Sequence, residues 1–279
     1  MNAKFPLAIA QSPVACDTRS NGRQIREMMK QASKEAARLI HFPEGALSGY
    51  AKAQISDWAD VDWPLVYQEL RFVMKASKDL GIWVVLGCNH RLTAPNRPHN
   101  SLFVISDKGE LITRYDKRFC SHSELTDFYS PGGEAQIFDI DGFRFGLALC
   151  IEIQFPEVFA EYERLGVDCL LFSAYSMDPM FWIQAQAHAA TNNFWLSFSV
   201  PAQCSPRLSG GLIGPNGLCL SRCNVSEEPQ LQLVTLDRDA PELQIALTKA
   251  RPWRRKARQG PIYLPSVEVD PRSCSKTNF

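Results

Sequence analysis

The order of its apolar runs constrains this chain more than any other feature. Leu7-Ala8-Ile9-Ala10, Leu39-Ile40-His41-Phe42 and Ile82-Trp83-Val84-Val85-Leu86-Gly87 have strand length, and two helix-length stretches separate them. Asn21 to Leu39 carries Ile25, Met28, Met29, Ala32, Ala36 and Leu39 on one stripe. Pro64 to Leu80 is the second amphipathic stretch and ends at Gly81, a residue suited to a helix C-cap. The order then returns: strand Phe143 to Leu149, helix Val158 to Leu165 stopped by Gly166, strand Asp168 to Ser173, helix Pro179 to Asn193, strand Phe194 to Val200. Hairpins flank these units, around Asp107-Lys108-Gly109-Glu110, Asp141-Gly142 and Gly214-Pro215-Asn216-Gly217, and Leu231 to Asp237 is the last strand. This predicts an α/β fold in which two sheets each carry helices on the outer face. No linker divides the halves, so residues 1–250 read as one domain. Residues 251–279 read as a tail, interface-forming or partly flexible.

Composition closes off several function classes. Lys plus Arg and Asp plus Glu number 30 each, so the formal net charge is zero. Nothing at whole-chain level suits nucleic acid or an anionic membrane. The one basic cluster, Arg251, Arg254, Arg255, Lys256 and Arg258, reads as a solvated or interface-forming segment in preference to a phosphate site. No apolar run spans a bilayer, and the N-terminus runs into a short strand instead of a signal-peptide core. The nine cysteines include no Cys-x-x-Cys pair and no Cys/His set with zinc spacing, so no metal site is expected. Most read as small hydrophobes in a reducing cytoplasm.

Three ionisable residues stand at the same kind of place, just past an apolar strand and before a break. Glu44 follows Leu39 to Phe42 in Phe-Pro-Glu-Gly, Lys117 ends the strand begun at Leu111, and Cys150 ends Phe143 to Leu149. Each taken alone has an ordinary structural reading: a turn carboxylate, a surface lysine, a buried thiol. Open α/β sheets collect their chemistry at such strand ends. Together the three make a working set. A carboxylate can take a thiol's proton, and an ammonium beside the sulfur is expected to favour the thiolate and to stabilise an oxyanion. The backbone N–H of Ile151 is a second candidate oxyanion donor. A Cys–His scheme ranks lower. His41 sits inside a strand pattern and reads as a satisfied core histidine, while His122 lies in the long loop 118–135 with nothing in the spacing to single it out as the base.

The segments that hold these residues carry a resemblance. Phe42-Pro43-Glu44-Gly45-Ala46-Leu47-Ser48-Gly49-Tyr50, Arg114-Tyr115-Asp116-Lys117-Arg118 and Leu149-Cys150-Ile151-Glu152-Ile153-Gln154-Phe155-Pro156-Glu157 resemble, in order, the three signature segments of the nitrilase superfamily of carbon–nitrogen hydrolases. The likeness extends roughly from Leu7 to Asp237. It implies a four-layer α-β-β-α sandwich, a homodimer or higher homo-oligomer, and a Glu–Lys–Cys triad working through a thioester without cofactor. Glu124 resembles the family's second glutamate, which supports the lysine, and Pro131-Gly132-Gly133 resembles the Pro-Gly that closes the loop. Glu157 reads as an acid in the first turn of the next helix.

Departures from the pattern bear on the substrate. Ala189-Ala190-Thr191-Asn192-Asn193 lacks the charged pair of many members, Ser209-Gly210-Gly211 departs from the usual Gly-x-Ser, and Gln154 replaces a frequent arginine. Ile151 stands where nitrile-cleaving branches usually carry Trp. The expected activity is therefore hydrolysis of a small carboxamide or N-carbamoyl group. A nitrilase, an N-acyltransferase or a catalytically silent binding member are the alternatives. Tyr50, His122, Tyr175 and Trp182 are the candidate substrate contacts, chosen for position near strand ends.

Overall fold

The computed structural model describes residues 3–268, 270–274 and 277. The N-terminal Met1 and Asn2, and the tail positions 269, 275, 276, 278 and 279, lie outside the described residues, so the readings made there stay expectations.

Among the described residues twelve strands form two six-stranded sheets. In chain order they are β1 (Lys4–Gln11), β2 (Leu39–His41), β3 (Trp83–His90), β4 (His99–Ile105), β5 (Leu111–Asp116), β6 (Ile137–Ile140), β7 (Phe143–Leu149), β8 (Cys169–Ser173), β9 (Trp195–Ser199), β10 (Gly211–Ile213), β11 (Cys219–Arg222) and β12 (Gln230–Asp237). One sheet has the order β12-β1-β2-β3-β4-β5 and the other β11-β10-β9-β8-β7-β6. Each has a parallel trio at its centre, β1-β2-β3 and β7-β8-β9, with antiparallel strands outside. The halves read from sequence are thus two sheets of like plan.

Period-2 alternation decides the layering. In β1, Leu7 and Ile9 point between the sheets, where they meet Phe143, Phe145, Leu147 and Trp195. Ala8 and Ala10 point the other way, onto Ile25, Met28 and Met29 of helix α1 (Thr18–Lys34) and Val66 and Val73 of helix α2 (Trp63–Leu80). In the second sheet Ala148, Leu170, Phe172 and Phe198 turn outward onto α3 (Pro156–Arg164) and α4 (Met180–Asn192), through Phe159, Tyr162, Ala185 and Ala189. The result is the expected four-layer α-β-β-α sandwich. Local signals set the helix ends. The Asp62 carboxylate accepts the Leu65 N–H at 3.0 Å to start α2, and Gly81 closes it at φ 63°.

The stretch read as a tail from Arg251 begins with a helix, α5 (Arg251–Arg258). Arg251 pairs with Asp168 at 3.0 Å, and Arg255 and Arg258 grip Glu163 at 3.3 and 2.9 Å. Three members of the basic cluster thus neutralise acids of the same chain. Among the described residues no helix is long and apolar enough to cross a membrane.

His41 is the satisfied core histidine the sequence suggested. It is fully buried between the sheets, with Nδ1 2.9 Å from Ser197 Oγ and Nε2 2.8 Å from Ser173 Oγ. Burial without an acidic partner depresses its pKa to about 3. The unfolded chain binds a proton near pH 6.5 that the folded chain refuses. The stability this contributes is present above about pH 6.5 and is lost as the pH falls toward 3. Between pH 7 and 5 wild type should lose about 2 kcal/mol more than His41→Gln. Urea unfolding of both proteins at the two pH values checks this, and equal losses would show that His41 does not titrate on unfolding.

Candidate active site

The carboxyl ends of β2, β5 and β7 lie on one edge of the sandwich and bring four ionisable side chains together. Glu44 comes from the turn after β2, Lys117 from the end of β5, Glu124 from the wide helical turn Glu124–Phe128, and Cys150 from the end of β7. Glu44 and Lys117 are fully buried, Glu124 is 1 % exposed and Cys150 7 %.

Backbone stitching places the first two. The Phe42 N–H donates to Val85 O and the Leu47 N–H to Gly87 O, both at 2.9 Å, so the Glu44 turn lies flat on β3. Only glycine at 87 permits that approach, because a Cβ there would stand 2.1 Å from the Pro43 carbonyl oxygen. Gly132 does the same for Lys117. Its N–H donates to Lys117 O at 2.8 Å, and a Cβ would meet Asp116 O at 2.3 Å. The Pro131-Gly132 pair closes the loop as the resemblance implied.

Cys150 sits at φ 49°, a left-handed conformation that costs a non-glycine residue about 1–2 kcal/mol. Glu152 holds the chain there. Its buried carboxylate accepts the Leu149 N–H at 2.7 Å, the Tyr115 O–H at 2.7 and 2.8 Å, the Arg118 N–H at 2.7 Å and the Phe119 N–H at 3.1 Å. One carboxylate thereby fastens the strand end that carries Lys117 to the turn that carries Cys150. Burial raises the Glu152 pKa, against the pull of these donors.

The charges are arranged around Lys117. Its ammonium donates to Glu124 Oε1 at 2.7 Å and Glu44 Oε1 at 3.1 Å. Burial alone would push this lysine toward neutrality, but Glu44, Cys150 and Glu124 outweigh it and its pKa stands well above the usual value. Burial likewise opposes ionisation of Glu124, and Lys117 reverses the balance, so that its pKa falls. Asn100 Nδ2 donates to Glu44 Oε1 at 2.6 Å and the Tyr175 N–H to Glu44 Oε2 at 2.7 Å. These contacts aim a rigid carboxylate at the thiol.

The ammonium lowers the thiol pKa as the sequence reading expected, but two other influences outweigh it. Burial, followed by the Glu44 carboxylate, raises the Cys150 pKa far above its ordinary value, and Lys117 offsets only part of the rise. Two carboxylates and one ammonium already leave the cluster one charge negative, and a thiolate would add a second. Burial and the facing carboxylate thus favour the neutral thiol over the thiolate.

Of the candidate substrate contacts, Tyr50 and Tyr175 belong to the site. The Tyr50 O–H donates to Glu124 Oε1 at 2.9 Å, and its ring stacks on Tyr175 at 5.0 Å. Tyr175 O lies 4.0 Å from Cys150 Sγ. His122 is not brought in. It is exposed on the loop, whose inward contact is the Ser121 N–H on Glu124 Oε2 at 2.7 Å. Among the described residues Trp182 makes no hydrogen bond with the four ionisable groups, although it packs against the same apolar cluster as Cys150. Its faces pack on Phe198 in the outer layer and under the Arg222 guanidinium at 3.7 Å. Ile151, half-buried, opens the short helical turn Cys150–Gln154, where the first N–H groups have no partner within the turn. Gln154 pairs reciprocally with Gln184 of α4, at 3.2 and 2.8 Å. Sequence reasoning missed Asn100, which carried no local signal. It quoted Glu152 without giving it a role, although an acid two residues past a candidate nucleophile was a visible cue.

Comparison with known proteins gives the family. The carbon–nitrogen hydrolase family model matches residues 7–243. A nitrilase homolog of Dictyostelium discoideum is 27 % identical over 179 residues, 58 % of this chain and 52 % of its own, so that match spans about half of the relative. An omega-amidase of Bos taurus is 22 % identical over 72 % of this chain and 76 % of its own. Among solved structures, an amidase from Nesterenkonia sp. shares the fold, with a TM-score of 0.74 at 22 % identity over 92 % of this chain and 98 % of that one. A variant of the amidase from Nesterenkonia sp. AN1, at TM-score 0.75 and 22 % identity over 90 % of this chain and 97 % of that one, shows covalent addition of the acetamide moiety of fluoroacetamide at the active site cysteine. With a match over most of its length and the same sandwich fold, the chain belongs to the carbon–nitrogen hydrolase family and is an enzyme of that hydrolase class.

Proposed function

We propose that this enzyme hydrolyses a small non-peptide carboxamide or N-carbamoyl group through a thioester on Cys150. The observation that carries the reading is the placement of Cys150, at the end of β7, beside the buried Glu44–Lys117 ion pair. Amide cleavage needs a nucleophile and also a proton for the leaving amine, and a protonated thiol beside a carboxylate supplies both. As the sulfur attacks the carbonyl carbon, its proton passes to Glu44. The oxygen that becomes negative is met by the Lys117 ammonium and the Ile151 N–H. Glu44 then protonates the nitrogen, the C–N bond breaks, and ammonia leaves a thioester. Water enters, Glu44 takes its proton, the acid departs and the thiol is restored. Glu124 keeps Lys117 charged and in place. The omega-amidase and amidase relatives favour an amide over a nitrile.

Product analysis tests the reading. A panel of small amides, carbamoyl compounds and nitriles should yield ammonia and carboxylic acid (or, from a carbamoyl group, amine and carbon dioxide) in equal amounts from amide-type members. A new amide formed when an amine is added would point to acyl transfer, and turnover confined to nitriles to a nitrilase. We also propose that the chain forms a homodimer. Met180 and Ile183 on α4, 50 % and 56 % exposed, suit such a contact, and sedimentation as a monomer would contradict it.

A further inference from the structure

We infer that Tyr175 is a specificity-determining residue whose hydroxyl donates to a neutral acceptor in the acyl part of the substrate, a point that rests on the amidase reading. The argument is an inventory of donors around the site. An aromatic cluster of Tyr50, Trp58, Phe128, Tyr129 and Tyr175, with Cys120 against it, stands over the four ionisable groups. Three of its polar handles are used internally. The Tyr50 O–H goes to Glu124, the Tyr129 O–H to Asn89 Oδ1 at 3.0 Å, and the Trp58 indole N–H to Phe128 O at 2.7 Å.

The Tyr175 hydroxyl differs. It accepts from Gln54 Nε2 at 2.9 Å and from Gln203 Nε2 at 3.0 Å. Neither amide can turn over to accept instead. Gln203 is locked on Val14, taking its N–H at 3.2 Å and donating to its carbonyl at 2.8 Å, and Gln54 Oε1 takes the Tyr50 N–H at 3.1 Å. A phenol has two acceptor positions and one proton. Both acceptor positions are filled, and among the described residues no acceptor takes the proton. The side chain is half-buried, its ring lies on Tyr50 and its backbone oxygen lies beside Cys150, so the unused donor sits within the reach of a substrate bound at the thiol.

Charge selects the kind of acceptor. Lys117, the buried cation that shares Glu124 with Tyr50 of this cluster, is already enclosed by Glu44 and Glu124. A carboxylate tail would enter a region that is net negative and meet one neutral donor, whereas an ether, a carbonyl or a second carboxamide meets that donor without repulsion. The substrate class is therefore an amide whose acyl group bears a neutral hydrogen-bond acceptor.

The probes are 4-methoxybutanamide, glutaramide, the isosteric hexanamide and the anionic glutaramate. Wild type should favour the methoxy amide and glutaramide over hexanamide and glutaramate by about tenfold in kcat/KM. In Tyr175→Phe the ratio of methoxy amide to hexanamide should fall close to one. Gln54→Glu should do the same while keeping the ring, because a carboxylate then takes the phenol's proton. A ratio measured within one preparation is insensitive to the folded fraction. An unchanged ratio in both variants, or a wild-type preference for glutaramate, overturns the inference. Glutaramide binding to Cys150→Ala, with and without Tyr175→Phe, separates the two readings. Tyr175-dependent binding without turnover in wild type would defeat the amidase reading alone, and turnover with Tyr175-independent binding would defeat this inference alone.

Discussion

Cys150→Ala should release no ammonia above background, a loss on the order of 10⁴-fold or more in kcat, while keeping its fold. The size of the loss follows from the mechanism, since no other group can form the thioester. The retained fold follows from the resting state. Burial favours the neutral thiol, whose removal leaves no unpaired buried charge, and alanine bears the left-handed φ about as well as cysteine does. Circular dichroism and an ammonia assay on the same preparation check both halves. Cys150→Ser should be nearly as inactive, because Glu44 would have to remove a proton from a much weaker acid.

Lys117→Met carries the second large effect, and it should cost stability as well as rate. Lys117 is the ammonium between Glu44 and Glu124, and all three are almost wholly buried. Taking away one partner of a buried ion pair costs roughly 3–5 kcal/mol, because the carboxylates lose their counter-charge where water cannot replace it. Loss of an oxyanion donor lowers kcat by about 10²–10³-fold in addition. Unfolding and kinetics measured together separate the two. A variant with the stability of wild type would mean that the carboxylates do not depend on Lys117, and one with wild-type kcat would remove it from the mechanism.

How much of this was legible in the sequence depended on the range of the interaction. Glu44, Lys117 and Cys150 stood out because each directly follows an apolar strand, and parallel strands deliver their carboxyl ends to one edge. Asp141-Gly142, with φ 50° and 85°, and Gly81 were readable because turn and cap chemistry is local. The state of the thiol was not readable. It depends on how deeply two sheets bury it and on which carboxylate faces it, which no local segment determines. Asn100 and the Tyr175 environment escaped for the same reason. Gln203 and Val14 are 189 residues apart in the chain, yet they fix the direction of one phenol proton. His122 and Trp182 also lie near strand ends, but His122 holds a solvent-exposed loop position and Trp182 pairs with Phe198 and Arg222. Helix α5 was missed because it is short and mostly basic and buries none of its side chains, and its docking runs through ion pairs to Asp168 and Glu163.

The thioester is the centre of the account, and mass measurement during turnover tests it most directly. Protein quenched in acid while it is releasing ammonia from an amide should carry one acyl group, located on the peptide that contains Cys150 and removed by hydroxylamine. Full-rate ammonia release with no adduct on that peptide in a rapid-quench series, or with the adduct on a different residue, would contradict it.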